Sequence, residues 1–237
     1  MPLQTVAPQR LYQQIADQLH TLITAGEFTA GSRLPAERDL AKQLGVSRPS
    51  VREALIALEV EGWVEVRTGS GVYVQDRSTT AARGNPITVN EWGPLELIRA
   101  RRVLEGEIAS LAATMAKRKD IAAMRLALAD MVRDADAGTL PIEGDRAFHS
   151  AIVQSTGNTV LIETIHGFWD SRRGPLFERL GGYFETVASW RSAIAEHTAI
   201  LDAIVAHDAP GARAAVHAHM DKSHTRFSAS WRRAKAS

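Results

Sequence analysis

The sequence predicts a mostly α-helical protein of two parts, an N-terminal winged helix-turn-helix domain and a C-terminal all-helical bundle. Residues 1–76 contain three stretches of helical periodicity followed by one alternating stretch with central glycines. Residues from 94 onward keep helical periodicity throughout. Between them lies a stretch rich in turn formers and without any period. We therefore expect a DNA-binding domain at 1–76, a linker at 77–93 and a helical domain at 94–233.

The N-terminal part has the element order of a winged helix. Apolar residues between positions 11 and 23 recur at helical spacing, and GSRLPAERDLAKQLG predicts a second helix. Ser47 is suited to cap a third helix, VSRPSVREALIALEVEGW. The alternating stretch WVEVRTGSGVYVQ, with Gly69, Ser70 and Gly71 at its turn, predicts a hairpin.

Six stretches of the second part predict helices, and no stretch predicts a strand. Ala and Leu dominate their apolar faces, and Gly, Pro, Asn or Asp separate them. The stretches are PLELIRARRVLEGEIASLAATMAKR, DIAAMRLALADMVRDADA, GDRAFHSAIV, NTVLIETIHGFWDS, ASWRSAIAEHTAILDAIVAHD and PGARAAVHAHMDKSHTRFSASW.

The composition is typical of a globular protein that uses no cysteine chemistry. The chain has 237 residues, of which 45% are hydrophobic and 23% charged. It has no cysteine, which excludes disulfides, thiolate zinc sites and cysteine nucleophiles. No stretch approaches the ~20 apolar residues that span a bilayer, and the first residues lack a signal-peptide pattern. We expect a cytoplasmic protein without a membrane partner.

The third helix carries the residue types that read double-stranded DNA. In a helix-turn-helix the N-terminal turns of the second helix of the motif enter the major groove. Arg48 and Arg52 are four residues apart and share a face, which suits contacts to guanine edges or phosphates. Arg38 stands where the preceding helix would cross the DNA backbone. The alternative is that these arginines belong to ordinary ion pairs on a solvated surface.

The charge of this region restricts how it could bind DNA. Residues 1–76 contain seven basic and nine acidic side chains, although the whole chain has a formal net charge of +1. Net charge alone therefore makes no case for nucleic acid. If the region binds DNA, its positive charge must be concentrated on one face.

The stretch RLPAERDLAKQLGVSRPSVREALIALEVEGWVEVRTGSGVYV resembles the N-terminal domain of the GntR family of bacterial transcription regulators. The helical second part is similar to the FadR-type subgroup of that family. The resemblance implies DNA contacts at a set of residues in the second helix, the third helix and the hairpin tip. These are Arg38, Ser47, Arg48, Arg52, Gly69, Ser70 and Gly71.

A carboxylate and several histidines occupy apolar faces in the second part. Asp145 and His149 are four residues apart on one predicted face with apolar neighbours, and a buried acid without a partner is costly. His197 also faces inward, as does His219, whereas His217 lies on a more polar stripe. One carboxylate and three imidazoles suit Zn²⁺, Ni²⁺ or Mn²⁺. The alternative is hydrogen-bonded core histidines, since spacing cannot show that three helices converge.

The resemblance selects four of these residues and adds three more. Many FadR-type regulators carry an Asp and three His at positions matching Asp145, His149, His197 and His219, which implies a bound divalent metal, zinc first, and argues against a fatty-acid effector. Arg101 matches an arginine that points into the ligand pocket of similar proteins. The segments GPLELIRARRVLE and IHGFWDSRRGPLFERL resemble hexuronate-responsive repressors. That match implies that Trp169 and Arg172 line the cavity, with Trp169 as a face for a sugar ring.

We expect a transcriptional repressor that binds a near-palindromic operator as a homodimer and is controlled by a small organic acid, such as a sugar acid, at the metal. The rival function is a metal-dependent hydrolase, since Asp and His on a metal can activate water. Four ligands would already be committed, however, and only His217 or His224 offers a general base. A scaffolding bundle with a vestigial winged domain is the third possibility. We therefore expect no enzyme.

Overall fold

The computed structural model describes residues 10–76 and 91–229. Contacts divide these residues into two compact units, one of 10–76, 91–94 and 174–180, the other of 95–173 and 181–229. Most of the predicted linker, 77–90, and the end of the predicted bundle, 230–233, lie outside the described residues. Among the described helices, none is both long and apolar enough to cross a membrane.

The first unit contains the predicted winged helix-turn-helix. Its elements are α1 (Leu11–Thr24), α2 (Glu37–Leu44), α3 (Arg48–Val60), β1 (Val64–Arg67) and β2 (Gly71–Val74). The side chain of Ser47 caps α3 by accepting a hydrogen bond from the Ser50 amide at 3.2 Å, as the sequence predicts. Helix α1 packs on α3, and both bury their apolar faces, including Leu19 and Leu55.

The wing is an antiparallel hairpin with an additional edge. Strands β1 and β2 pair in a register that sets Arg67 opposite Gly71, and Gly69 takes a φ of 79° in the turn between them. The chain before α2 runs along the free edge of β2. There the Leu34 amide donates to the Val72 carbonyl at 2.9 Å. The sequence analysis did not predict this third segment.

The second unit is built from helices, so the predicted fold class is confirmed. The elements after residue 94 are α4 (Pro94–Met115), α5 (Arg118–Asp136), α6 (Ile142–Gln154), α7 (Thr159–Ser171), α8 (Pro175–Phe184), α9 (Val187–Val205) and α10 (Ala209–Phe227). Helix α5 packs against α6 and α9, and α9 packs against α10. Phe148, Met124 and Met131 are fully buried. This packing brings α6, α9 and α10 around a common interior.

Helix α8 is the helix that the sequence analysis missed. It begins at Pro175 and contains Gly181 and Gly182 near its end. Glycine weakens a helix by about 1 kcal/mol relative to alanine. The two glycines interrupt the helical pattern of apolar residues in this short segment, so the sequence predicts no helix there. The helix nevertheless buries Leu176, Phe177 and Leu180.

Gly144 lets α6 approach α5 closely, and its replacement should destabilise the second unit. A Cβ at Gly144 would lie 2.7 Å from Met131 Cγ and 3.1 Å from the Met131 amide nitrogen. Overpacking of this kind costs about 1–3 kcal/mol. We predict that Gly144→Ala lowers the free energy of unfolding in urea. The matched control is Gly167→Ala on α7, where nothing lies within 4 Å. It should raise stability by about 0.5–1 kcal/mol through helix propensity, and equal effects of the two changes would contradict the prediction.

Candidate functional site

The structure brings together the four residues that the sequence predicts as metal ligands. Asp145 and His149 come from α6, His197 from α9 and His219 from α10. One ligand atom of each lies within 4.8 Å of the other three, and all four side chains are buried. His217 and His224 are outside this cluster.

The ligand atoms are close enough to share one cation. Oδ1 of Asp145 lies 2.8 Å from Nε2 of His197 and 3.5 Å from Nε2 of His149, and the two Nε2 atoms are 3.2 Å apart. Zinc binds nitrogen and oxygen ligands at about 2.0–2.2 Å, so neighbouring ligand atoms on one ion lie about 3–3.5 Å apart. The separations among Asp145, His149 and His197 fit such an ion.

An outer ring of acceptors orients the three imidazoles. Each Nδ1 lies 2.6–2.8 Å from a carboxylate or carbonyl oxygen, which can accept a hydrogen bond but cannot donate one. The pairs are His149 with Glu105, His197 with the Ala193 carbonyl, and His219 with Glu196. The Nδ1 atoms therefore donate, which leaves the Nε2 lone pairs for the centre of the cluster. Such carboxylate–histidine pairs are the usual outer partners of metal-binding histidines.

The electrostatics of the cluster also favour a cation. Burial alone would raise the pKa of Asp145, but the adjacent imidazoles of His149 and His197 and the charge of Arg172 hold it well below its usual value. Burial lowers the pKa of His219 to about 3, so its imidazole is neutral. For His149 burial lowers the pKa, but Glu105 and Asp145 outweigh it and the net shift is upward.

The donor set therefore fits a divalent metal by its chemistry. A carboxylate oxygen and imidazole lone pairs converge in the interior, and Oδ1 of Asp145 is buried without a hydrogen bond among the described residues. Acceptors at these distances repel one another unless a proton or a cation lies between them. Imidazole and carboxylate together suit Zn²⁺, Ni²⁺ or Mn²⁺.

Arg101 and Arg172, which the sequence predicts as effector-binding residues, border the cluster. Arg101 on α4 forms a buried ion pair with Glu105 at 2.6 Å. Arg172, just after α7, donates to Oδ2 of Asp145 at 2.8 Å and to Glu185 at 2.5 Å. A cavity of about 30 Å³ lies between these arginines and Arg226 of α10. Space of this size holds about one water molecule, whereas ligand pockets measure about 300–1,000 Å³.

Trp169, which the resemblance assigns to the cavity, is buried beside His149 of the cluster and is not among the residues that line the cavity. The guanidinium groups of Arg101 and Arg172 lie over its ring, 4.4 and 5.2 Å from the ring centroid, and the side chain is 2% exposed. These cation–π contacts occupy the surface that the prediction assigned to a sugar ring. Trp190 of α9 lines the cavity instead.

Most of the residues predicted to contact DNA lie around one cleft of the winged helix. Arg38 and Arg48 are exposed and line a cleft of about 390 Å³ together with Gly69, Ser70 and Gly71. Ser47, also exposed, stands at the start of α3 beside Arg48. Glu37 also lines the cleft, with a carboxylate 3.7 Å from the guanidinium of Arg48. Six of the seven predicted residues are therefore exposed or line this cleft.

Arg52 is the exception, since its side chain is buried and paired within the unit. Its side chain is 1% exposed, and its guanidinium donates to both oxygens of Glu37 at 2.8 and 2.7 Å. The four-residue spacing predicts that Arg48 and Arg52 share one face of α3. One turn after Arg48, however, other parts of the unit cover this face and bury Arg52. Arg52 instead ties α3 to α2.

Three functional residues escaped the sequence analysis. Glu105 and Glu196 hold imidazoles of the cluster, and Arg226 holds Glu196 at 3.1 Å and lines the cavity. Glu105 follows Arg101 by four residues, a spacing that predicts the pair. For Glu196 the signal is its position next to His197. No sequence pattern signals Arg226.

A winged helix with a cationic cleft, joined to a helical unit with a buried ligand set, defines the class of two-domain transcriptional regulators. Residues 11–74 match the profile "Bacterial regulatory proteins, gntR family", and residues 96–222 match the FCD domain. The chain belongs to the GntR family and carries an FCD effector domain. Proteins of this family are transcriptional regulators and not enzymes.

Individual relatives agree with this assignment. The Uxu operon transcriptional regulator of Escherichia coli (strain K12) is 38% identical over 90% of this chain and 85% of its own. The Exu regulon transcriptional regulator of the same strain is 36% identical over 92% and 85%. Among solved structures, E. coli McbR/YncC covers 92% of this chain and 97% of that chain, with 25% identity and a TM-score of 0.52.

The Glu37–Arg52 pair should stabilise the winged helix strongly. Removing one partner of a buried ion pair leaves an uncompensated charge and costs about 3–5 kcal/mol. We predict that Glu37→Gln lowers the free energy of unfolding of this unit by about 3 kcal/mol, measured by urea denaturation. The control is Asp39→Asn on the same helix, whose partner Arg38 has an 81% exposed side chain. It should change stability by less than about 1 kcal/mol, and a Glu37→Gln protein as stable as this control would contradict the prediction.

Proposed function

We propose that this protein is a repressor whose operator binding is controlled by a small organic acid bound at a metal in the FCD domain. The main support for this proposal is that the buried side chains of Asp145 and three histidines meet beside a cavity. That cavity is lined by Arg101, Arg172 and Arg226. The winged helix supplies the DNA-binding face described above. We propose domain limits of 1–76 and 94–233 around a linker at 77–93.

The four cluster residues would hold the metal, with zinc as first candidate and nickel or manganese as the others. When bound, the metal supplies positive charge and coordination positions for carboxylate or hydroxyl oxygens. Glu105 and Glu196 keep the imidazoles in the tautomer that presents Nε2. Arg101 and Arg172 would orient the acid beside the metal through charge-assisted hydrogen bonds.

The balance of buried charge favours an effector with a single negative charge. Four carboxylates and three guanidiniums surround the cluster, namely Glu105, Asp145, Glu185 and Glu196 with Arg101, Arg172 and Arg226. With neutral imidazoles these groups carry one net negative charge, which a divalent metal changes to one positive charge. A monocarboxylate then restores neutrality, whereas a dianion leaves an uncompensated buried charge. Lys222 also approaches Glu196, but its side chain is 63% exposed and screened by solvent.

A sugar acid of one carboxylate meets this requirement. Its hydroxyl groups can bind polar side chains of the cavity, such as Ser189 and Ser223. The match of two segments to hexuronate-responsive repressors supports the same choice. The relatives that regulate the Uxu operon and the Exu regulon support a related role here.

Effector binding must rearrange the site, since the cavity holds only about one water molecule. Arg172 is the side chain that must yield, because it joins Asp145 and Glu185 beside the cavity. An effector that prefers the rearranged state shifts the population away from the DNA-binding state. We further propose that a homodimer presents two winged helices to a near-palindromic operator, whose half-sites mirror the two-fold symmetry.

Loss of one cluster imidazole should abolish metal binding. We predict that His219→Ala protein contains less than about one tenth of the metal found in the parent, because the variant lacks one of the four proposed ligands. Elemental analysis after dialysis against zinc measures the content. The matched control is His217→Ala, two residues away on the same helix and outside the cluster, which should keep about one metal per chain. Full metal content in His219→Ala would overturn the proposed ligand set.

Effector charge should decide release from DNA. A duplex selected from a random pool is bound by the metal-loaded protein, and a hexuronate, the matching hexarate and the matching hexitol are titrated in separately. We expect the hexuronate to release the DNA at a concentration at least about tenfold lower than the other two, which corresponds to about 1.4 kcal/mol. Fluorescence anisotropy of the duplex is the measurement.

The Arg172→Gln variant provides the control for the same titration. It should keep its metal and its DNA binding but require about tenfold more hexuronate for release. Equal potency of the hexarate would contradict the charge argument. Failure of every acid to release the DNA would contradict the effector site.

A further inference from the structure

The cleft beside the wing contains a third cationic side chain, Arg33, besides Arg38 and Arg48. Arg33 lies just before α2 and is exposed. It lines the same cleft as Arg38, Arg48 and the wing glycines. Neither the family resemblance nor the helix-turn-helix pattern assigns it a role in DNA binding.

Backbone pairing fixes the position of Arg33. The residue forms an antiparallel bridge with Tyr73 of β2, and the flanking amides of Leu34 and Val74 donate across the same edge at 2.9 Å. Arg33 thus lies on an edge segment of the wing sheet, and this backbone pairing fixes the position from which its side chain extends.

The guanidinium lies against Gly71, and the absence of a side chain there is what admits it. A Cβ on Gly71 would lie 2.5 Å from Nε of Arg33 and 3.1 Å from its Cζ. Gly71 also has a φ of 138°, which other residues rarely adopt. Glycine at 71 therefore opens the space that Arg33 occupies beside the hairpin tip.

The charges around Arg33 leave it available to an anion. Arg38 is paired with Asp39 at 3.3 Å, and Arg48 approaches Glu37 at 3.7 Å. Arg33 forms no ion pair with any residue in 10–76 or 91–229. Glu37, the acidic residue among the cleft-lining residues, is held by the buried Arg52. The cleft thus concentrates positive charge in a region with more acidic than basic side chains.

We propose that Arg33 binds a phosphate of the DNA backbone beside the groove that α3 enters, and that Gly71 is required to place it there. The phosphate is favoured over a base edge because Arg33 is on the wing edge, whereas Ser47 and Arg48 occupy the N-terminal turn of α3. The proposal rests on the DNA binding included in the proposed function, and it extends that function by one contact that carries no sequence information.

The test is the salt dependence of DNA binding. Each phosphate contact contributes about 0.9 to the slope of log affinity against log salt concentration. We expect Arg33→Gln to reduce this slope by about 0.9 per bound protomer and to weaken operator and unrelated duplexes by the same factor, about three- to tenfold at 0.15 M salt. Arg33→Lys keeps the charge and should keep the slope.

Matched variants separate a phosphate contact from support of the wing. Arg67→Gln changes an arginine of β1 that stacks on Tyr73 and pairs with Glu65, outside the cleft, and should leave the slope unchanged. Gly71→Ala should lower the slope as much as Arg33→Gln does, because its Cβ displaces the guanidinium. The double variant should have the same slope as Arg33→Gln alone. Gly31→Ala also changes a glycine with a positive φ, 78°, but no atom lies within 4 Å of its added Cβ and it does not line the cleft, so it should keep the slope.

The outcomes are distinguishable from those that test the proposed function. If the parent protein binds DNA and Arg33→Gln keeps the parental slope, the assignment of Arg33 is wrong while the regulator remains. A loss confined to the operator would equally overturn the assignment, because it would indicate base reading. If the parent itself fails to bind any duplex, the proposed function fails.

Discussion

The central constraint in this protein is that lone pairs from four buried side chains point at one another. The ligand atoms of Asp145 and of the imidazoles on α6, α9 and α10 lie within 4.8 Å of one another, and all four side chains are buried. Such an arrangement is costly unless a positive charge occupies the centre. The helices that carry these residues also form the interior of the second unit, so its packing and its ligand chemistry depend on the same atoms.

Both units use buried charge to fix the orientation of a functional residue. In the winged helix, Glu37 and Arg52 join α2 to α3 and thereby set the start of α3, where Arg48 is exposed. In the helical unit, Glu105 is buried and orients His149, and its pKa falls to about 2 because Arg101 and His149 outweigh the effect of burial. A buried ion pair contributes little net stability relative to apolar packing. Its contribution here is geometric, since it restricts where the neighbouring side chain points.

The sequence predicted most of the fold because its signals are local. Helical periodicity, the Ser47 cap and the alternating hairpin each depend on a few neighbouring residues. The cluster ligands were found because inward faces and a family pattern coincided at His197 and His219. The burial of Arg52 and Trp169 could not be predicted, because burial depends on what other elements cover, which spacing does not encode. The same limit hid Arg226 and the edge segment at Arg33, whose roles arise only when distant segments meet.

The compensated charges beside the cavity bear on how the proposed effector would gain its affinity. Arg172 already bonds Asp145 and Glu185, and Arg101 already bonds Glu105. An incoming carboxylate would therefore exchange one partner of an arginine for another, which limits the net free energy that each arginine contributes to binding. The largest favourable contribution to the binding free energy of an anion would come from the positive charge of the metal-loaded cluster, because no other anion already compensates it. In the proposed function, the arginines would select the orientation and the number of charges of the acid, whereas the metal would determine whether the acid binds. Sensitivity to the effector should then disappear with the metal even where the fold persists.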